Sequence, residues 1–402
     1  MSGAVEIKKG IYWVGVIDWT VRSFHGHTYN TARGTTYNAY LIVDEKIALV
    51  DTVLGAFSAE MTAKIREIVD PAKIDYVIAN HVETDHSGAL PELMKFCPKA
   101  KVVGTEKCKE GLYKNYYCDW DFKVVKTGDT LKLGKKTLTF IEAPMVHWPD
   151  SMFTYCREEE LLLPNDAFGQ HYASSQRFND QVDSAELMDE AKKYYANILW
   201  PLSPLILRKI EEVVKLNLPI SMIAPSHGII WRKDPLQIVN TYAGWAKQET
   251  QAKVVIVYET MWNSTQKMAR LVTDSLIKKG LEVKLYDVNN ADRTEIFRDM
   301  LDAKGFLFGS STHDNDMLPN IAGFLALLKN FKAKGRVAGV FGSYGWAGGA
   351  VREIESLLKT AGIEVAVGSC SAKFVPDEKE AADCLRFAAD FASKVRTVLN
   401  SA

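Results

Sequence analysis

The sequence predicts an α/β protein of two domains: a mixed layered domain over residues 1–250, then a doubly wound parallel sheet over residues 251–402. Three observations predict it. A chain of 402 residues exceeds one ordinary core, and its 47% hydrophobic content can fill more than one. The first part alternates short apolar runs with turns and a few helical stretches. The second part repeats strand, polar turn and helix, the rhythm of a parallel sheet of about five strands.

In the first part, Ile11 to Ile17, Tyr37 to Val43, Ile47 to Val50, Tyr76 to Ala79 and Thr137 to Glu142 have strand lengths. Phe57 to Val69 spaces Met61, Ile65, Ile68 and Val69 as a helix lying over a sheet. A strand Glu160 to Leu163 runs into Pro164-Asn165-Asp166. Helices are expected around Ser184 to Asn197 and Pro204 to Leu216, then a strand from Ile220 to Ala224. The polar stretch Lys247 to Gln251 marks the boundary. Beyond it come a strand Lys253 to Tyr258, a helix Thr265 to Lys279, a strand Glu282 to Tyr286 and a helix Ile296 to Met300. Phe306 to Gly309, Arg336 to Phe341 and Ile363 to Val367 are further strands separated by helical segments, and Asp377 to Leu399 is a covering helix.

Composition excludes several classes. Lys+Arg 49 against Asp+Glu 50 leaves a net charge of -1, without the positive field of a general nucleic-acid binder. No apolar run approaches the roughly 20 residues that span a bilayer. Met1 to Gly10 carries Glu6, Lys8 and Lys9 and is unlike a secretory signal. Six cysteines, Cys97, Cys108, Cys118, Cys156, Cys370 and Cys384, are scattered without a C-x-x-C pair, so they read as reduced packing residues. A cytoplasmic protein acting on neither nucleic acid nor membrane is expected.

The strongest local signal follows the strand ending at Ala79: Asn80-His81-Val82-Glu83-Thr84-Asp85-His86-Ser87-Gly88. Alternation in an extended or turning segment sets His81, Glu83 and Asp85 near one side, and a turn redirects His86 toward a second ion. His147, Asp166 and His227 each follow another predicted strand. Alone, His147 or His227 reads equally well as a hydrogen-bonded buried histidine. Together the seven offer four imidazoles and three carboxylates, enough for two first-row ions with open positions for substrate.

In the second domain the first strand leads into Thr260-Met261-Trp262-Asn263-Ser264-Thr265 and directly into a helix. Hydroxyls, an amide and free N–H groups at a helix start suit a phosphate dianion. An ordinary helix cap also explains Ser264 or Thr265. Two later strand ends lead into Ser311-Thr312-His313-Asp314-Asn315 and Ser343-Tyr344-Gly345-Trp346-Ala347-Gly348, where small residues allow close approach and Tyr344 and Trp346 offer flat surfaces. A flavin mononucleotide (FMN) site is expected there. A G-x-G-x-x-G fingerprint is absent, so NAD is not.

The first cluster resembles the H-x-H-x-D-H set of the metallo-β-lactamase fold, with Glu83 in place of its second histidine. That exchange moves the preference from zinc hydrolysis toward iron. The first flavin loop resembles the T-x-T-G-x-T turn of flavodoxins, with Trp262 and Asn263 departing from it. Over its whole length the chain resembles the flavodiiron proteins, on His81-Val-Glu-Thr-Asp-His86, His147-Trp-Pro-Asp150, Asn165-Asp166, Ser226-His227-Gly228 and the three flavin loops. The resemblance implies a metallo-β-lactamase-like αββα sandwich followed by a flavodoxin-like sheet. It implies one iron held by His81, Glu83 and His147, another by Asp85, His86 and His227, and Asp166 bridging them. It further implies a head-to-tail homodimer or a tetramer, with the partner's flavin beside the irons. Rubredoxin or a similar donor would supply electrons, and oxygen would go to water or nitric oxide to nitrous oxide.

Around that site His25, Tyr29, Trp148 and His171 are candidates for shaping access or steering protons, and Trp346 for touching the flavin across the dimer. Lys101, Lys107, Lys109 and the run Lys329 to Lys334 offer positive charge for an acidic redox partner, though a solvated surface explains them as well. Two rivals remain open: a zinc hydrolase fused to a flavodoxin-like domain, and a non-enzymatic electron carrier.

Overall fold

The computed structural model describes residues 3–26 and 28–400. The chain divides into two compact units, Met1–Ala243 and Gly244–Ala402. The division falls inside the helix Leu236–Ala246, a few residues before the expected boundary, and Gln251 already belongs to a strand. Among the described residues no helix is long and apolar enough to cross a membrane.

The first unit holds a seven-stranded and a five-stranded sheet. Alternation along each strand of the larger sheet sends its residues to two different cores. Tyr40, Ile42, Ala48, Val50, Ile78 and Val103 meet Leu138, Phe140, Met152, Leu161 and Met222 of the smaller sheet. Leu41, Leu49, Val77 and Val102 instead meet Met61, Ile65, Leu90, Leu93 and Leu112 from the helical layer. The strands Ile47–Val50, Ile74–Ile78, Lys101–Gly104 and, at the sheet's rim, Phe122–Val124 pair in parallel, which brings their carboxyl ends to one edge. The loop carrying His81, Glu83, Asp85 and His86 leaves from that edge.

Two expected strands are each broken in two. Ile11 to Ile17 becomes Ile11–Trp13 in the large sheet and Val16–Asp18 in a separate ribbon with Thr35–Tyr37. Tyr37 to Val43 becomes Thr35–Tyr37 and Tyr40–Ile42. The break is set by close contact: a Cβ at Gly15 would lie 2.3 Å from the Tyr37 carbonyl oxygen. Opposite it, the Asn38 side chain accepts from the Trp13 indole at 2.8 Å and donates to the Pro225 carbonyl at 2.8 Å.

The second unit is a parallel sheet in the order Glu282–Asp287, Gln251–Glu259, Ala303–Ser311, Val337–Tyr344. Its last position is filled by two pieces, Glu364–Val365 and Cys370–Lys373, which pair with successive parts of Val337–Tyr344. The expected strand Ile363 to Val367 is therefore shorter and is continued by one that was not foreseen. Helices Ser264–Lys278 and Glu378–Asn400 cover one face, where Val254, Ile256 and Leu307 meet Met268, Val272, Phe387 and Phe391. Stacked Phe297, Phe324 and Phe331 lie against the other face with Phe308.

Candidate metal centre and cofactor cavity

The strand Ile74–Ile78 ends in an extended stretch that turns helical at Thr84, and the helical turn Thr84–Ser87 changes which side chains share a side. His81 and Glu83 group with His147 and Asp166, whereas Asp85 groups with His86 and His227, each set having its donor atoms within 4.8 Å of one another. The expectation that Asp85 shares a side with His81 and Glu83 is corrected by that turn: alternation lapses where a 3.6-residue period begins.

Asp166 lies between the two sets. Its Oδ2 is 3.2 Å from Nε2 of His147 and 3.7 Å from that of His81. Its Oδ1 is 3.0 Å from Nε2 of His86 and 3.6 Å from that of His227. Asp85 Oδ2 adds contacts of 3.4 Å to His86 and 3.1 Å to His227, and Glu83 Oε2 lies 3.4 Å from His81 and 3.6 Å from His147.

The outer atoms of two rings are fixed by acceptors. His227 Nδ1 lies 2.7 Å from the Thr36 carbonyl oxygen, which accepts only, so Nδ1 carries the proton and the Nε2 lone pair faces the carboxylates. Asp150 does the same for His81, 3.0 Å from Nδ1. Gly228 beside His227 has φ +75, and a Cβ there would lie 1.9 Å from Gln170 Oε1. Asp51 ties two of the loops together, accepting from the Asn80 amide at 2.8 Å and from Asn165 Nδ2 at 3.2 Å.

These residues fit bound cations. Lone pairs face carboxylates, and Asp85 Oδ1, Asp166 Oδ2 and both ring nitrogens of His86 are buried without a hydrogen-bond partner. Burial opposes charge on His86, yet Asp85 and Asp166 push its pKa up to about 9. Burial alone would raise Asp166, but His86 and His147 hold it well below the carboxylate range. The field of three clustered carboxylates calls for positive charge.

Around the centre, His25 Nε2 is 3.5 Å from Glu83 Oε1, a contact that raises its pKa. His171 is buried, with Nδ1 2.8 Å from Thr35 Oγ1, and its ring lies 4.3 Å from Phe24 and 4.9 Å from Tyr29. Burial holds it well below the ordinary imidazole value. Trp148 places its ring edge-on to His81 at 5.1 Å. Asp51 and the partner carbonyl of Thr36 were not singled out from the sequence; Asp51 follows a strand end just as Asp166 does, which is the signal that would have marked it.

In the second unit the three strand-end loops enclose a cavity of about 580 Å³. Met261, Trp262, Ser264, Ser311, Thr312, His313, Asp314, Asn315, Ser343, Tyr344, Gly345, Trp346 and Ala347 line it. Thr260, Asn263, Thr265 and Gly348 are not among the lining residues, while Phe374 and Val375, not foreseen, are. Thr265 is fully buried, its hydroxyl 3.0 Å from that of Ser311 and 2.8 Å from that of Ser343, and Ser264 reaches Ser343 at 2.8 Å. Asn263 has φ +66 just before the helix and gives no side-chain cap, so the hydroxyls of Ser264 and Thr265 are turned into this cluster instead of capping. The Thr260 hydroxyl is buried without a partner. A hydroxyl cluster at a helix start, facing a cavity flanked by Trp262, Tyr344 and Trp346, fits a phosphate ester carrying a flat ring.

The comparisons agree with both halves. The family model described as "ODP family beta lactamase" matches residues 35–228, and the one described as "Flavodoxin" matches residues 256–387. A relative from Moorella thermoacetica named "Nitric oxide reductase" is 51% identical over 98% of this chain and 100% of its own length. An "Anaerobic nitric oxide reductase flavorubredoxin" from Aeromonas hydrophila is 45% identical over 95% of this chain and 78% of its own. The solved rubredoxin oxygen:oxidoreductase of Desulfovibrio gigas superposes with a TM-score of 0.96 at 38% identity, covering 98% of this chain and 99% of that one. The flavodiiron protein of Giardia intestinalis gives 0.95 at 34% identity, covering 100% and 98%. A metallo-β-lactamase-like domain thus precedes a flavodoxin-like sheet, and the chain belongs to the flavodiiron protein family.

Proposed function

We propose that this oxidoreductase uses FMN and a di-iron centre to reduce nitric oxide to nitrous oxide and oxygen to water, with electrons from rubredoxin or a similar carrier. The observation that carries the reading is Asp166, which turns one oxygen toward each of two histidine and carboxylate sets. Nitric oxide is the substrate to test first, because the relatives at 51% and 45% identity are named for it. In this reading His81, Glu83 and His147 would hold one iron and Asp85, His86 and His227 the other, with Asp166 placed to serve both. When bound, the iron pair supplies redox equivalents and open positions for a diatomic gas, and the flavin stores and passes electrons.

The protein's own contribution is positional. Asp150 and the Thr36 carbonyl hold the His81 and His227 rings, so their lone pairs stay aimed at the centre. Phe24 and Tyr37 lie against His227, at 5.8 and 6.0 Å between rings, and keep water from its flank. His25, half-buried beside Glu83, holds a proton at Nε2 close to where substrate oxygen must be protonated. Tyr29 packs edge-on against His171, whose ring lies 4.9 Å from that of His227. In the second unit the Ser264, Ser311 and Ser343 hydroxyls would hold the FMN phosphate, with Thr265 behind them bonded to Ser311 and Ser343, and Trp262 and Tyr344 would offer flat surfaces to its ring. Trp346, 92% exposed, serves contact across a head-to-tail dimer.

The experiment is metal and flavin quantification on anaerobically purified protein, followed by nitric oxide and oxygen turnover with reduced rubredoxin. About two irons and one FMN per chain, with turnover lost in Glu83→Ala while flavin is retained, is the expected result. About two zincs after iron-replete growth would turn the reading to a hydrolase instead.

A further inference from the structure

Of the cysteines scattered along the chain, two meet. Cys370 opens the strand Cys370–Lys373, Cys384 lies in the second turn of the helix Glu378–Asn400, and their Sγ atoms are 3.3 Å apart. Both are buried, at 5% and 0% exposure. Cys97 and Cys108 instead direct their thiols at the backbone carbonyls of Leu93 and Ala79.

The chain between the two thiols is already folded back on itself. Glu380 accepts from the Lys373 amide at 2.8 Å and from the Asp377 amide at 3.1 Å, while its own amide donates to Asp377 at 2.8 Å. These reciprocal bonds form a capping box that seats the helix start beside the strand end. Phe374 and Val375, which line the cavity, lie in this same segment, and the Phe374 amide donates to the Tyr344 carbonyl at 2.7 Å. A bonded S–S length of about 2.04 Å needs the sulfurs to close by about 1.3 Å.

We infer that Cys370 and Cys384 are a dithiol modification site, which a small disulfide oxidises to a disulfide that closes the lip of the cavity. The inference is independent of the metal-centre reading. The two thiols share one hydrogen bond, which favours a thiolate on one sulfur while the other keeps its proton. Transient local opening of the segment between strand and helix admits the oxidant. The first thiolate, its proton released to solvent, attacks one sulfur of the oxidant, whose S–S bond breaks and expels one thiolate. The other cysteine, after losing its proton, then attacks the Sγ now in the mixed disulfide and expels the second. The two cysteines lose two electrons and two protons, and the oxidant leaves as two thiols.

The test treats the flavin-loaded protein with excess 2-hydroxyethyl disulfide, alkylates it and maps peptides by mass. The expected result is a linked Cys370–Cys384 peptide pair, reversed by dithiothreitol, with Cys97, Cys108 and Cys156 alkylated only after denaturation. The linked form is expected to melt higher by roughly 5 °C and to release FMN more slowly on dilution. Cys384→Ser is expected to abolish both changes; if that variant does not fold, the mapping of the unaltered chain decides. Recovery of Cys370 and Cys384 as free thiols or separate mixed disulfides, under conditions that convert the half-buried Cys118, would overturn the site. So would a link that forms only in denatured protein. A link that leaves melting and FMN release unchanged would overturn its effect on the lip.

Discussion

One Asp150 oxygen accepts from His81 Nδ1 at 3.0 Å and from the Val82 amide at 2.8 Å, so a side chain outside the cluster fixes both the ring and the backbone that carries it. Asp150→Asn keeps the shape and weakens the pull on the imidazole proton. Metal affinity at the first set is expected to fall by roughly 10- to 100-fold with the fold intact. Competition with a chromophoric chelator, alongside circular dichroism, measures this; unchanged competition would show that Asp150 is only a packing group.

Thr265→Val replaces one buried hydroxyl by a methyl group of similar size. The Ser311 and Ser343 hydroxyls lose a buried partner, at a cost of about 1 kcal/mol, and are no longer held in place at the cavity wall. FMN affinity is expected to drop by roughly tenfold, with Tm lowered by only about 2–4 °C. Fluorescence titration of flavin-stripped protein reads the first quantity and thermal melting the second.

Lys64 is buried at 2% exposure, donates to the Gly15 carbonyl at 2.6 Å and to Glu60 at 2.9 Å, and lies 4.7 Å over the Trp13 ring. Lys64→Met fills the same space but strands that carbonyl beneath the break between the two sheets. A loss of about 2 kcal/mol is expected in the first unit. Denaturant unfolding followed by tryptophan emission checks it, and a change below about 0.5 kcal/mol would refute the assignment.

Asp299 in the second unit accepts a short bond from Tyr286 and lies 3.4 Å from Lys253. Burial pushes its carboxyl up, but the Tyr286 bond and the Lys253 charge outweigh burial and hold it below the usual value. A lowered folded-state pKa stabilises above the unfolded value of about 3.9, and that stability is lost as pH falls through the folded value. Stability of the unit is therefore expected to decline below about pH 4, and Asp299→Asn to be less stable at neutral pH but flatter across that range. Melting temperatures from pH 3 to pH 7 test the slope.

Much of this was legible in the sequence, for reasons that differ by region. In the second unit the run Lys253 to Tyr258 is apolar on both faces, and the structure extends it only to Gln251–Glu259. Spacing marks buried parallel strands well. The ribbon at Gly15 and Tyr37 was illegible because the apolar run is continuous across a break made by a tertiary contact. Met152–Cys156, buried along its whole length, lacked alternation to betray it. At the centre, residue types announced the cluster. Their partition did not follow from them, because it depends on where the helix starts at Thr84. The Cys370 and Cys384 pairing was hidden for a similar reason: only the return of the helix onto the strand brings the two sulfurs together.

Asp166 presents one oxygen to each set of donors, so the two sets are not separate receptors. Whatever arrives at one half draws on charge that the other half also uses, and by thermodynamic reciprocity each occupant alters the affinity of the other by the same factor. A binding isotherm for this centre therefore yields constants of the pair, and half-loaded protein is a distinct species whose abundance depends on that coupling.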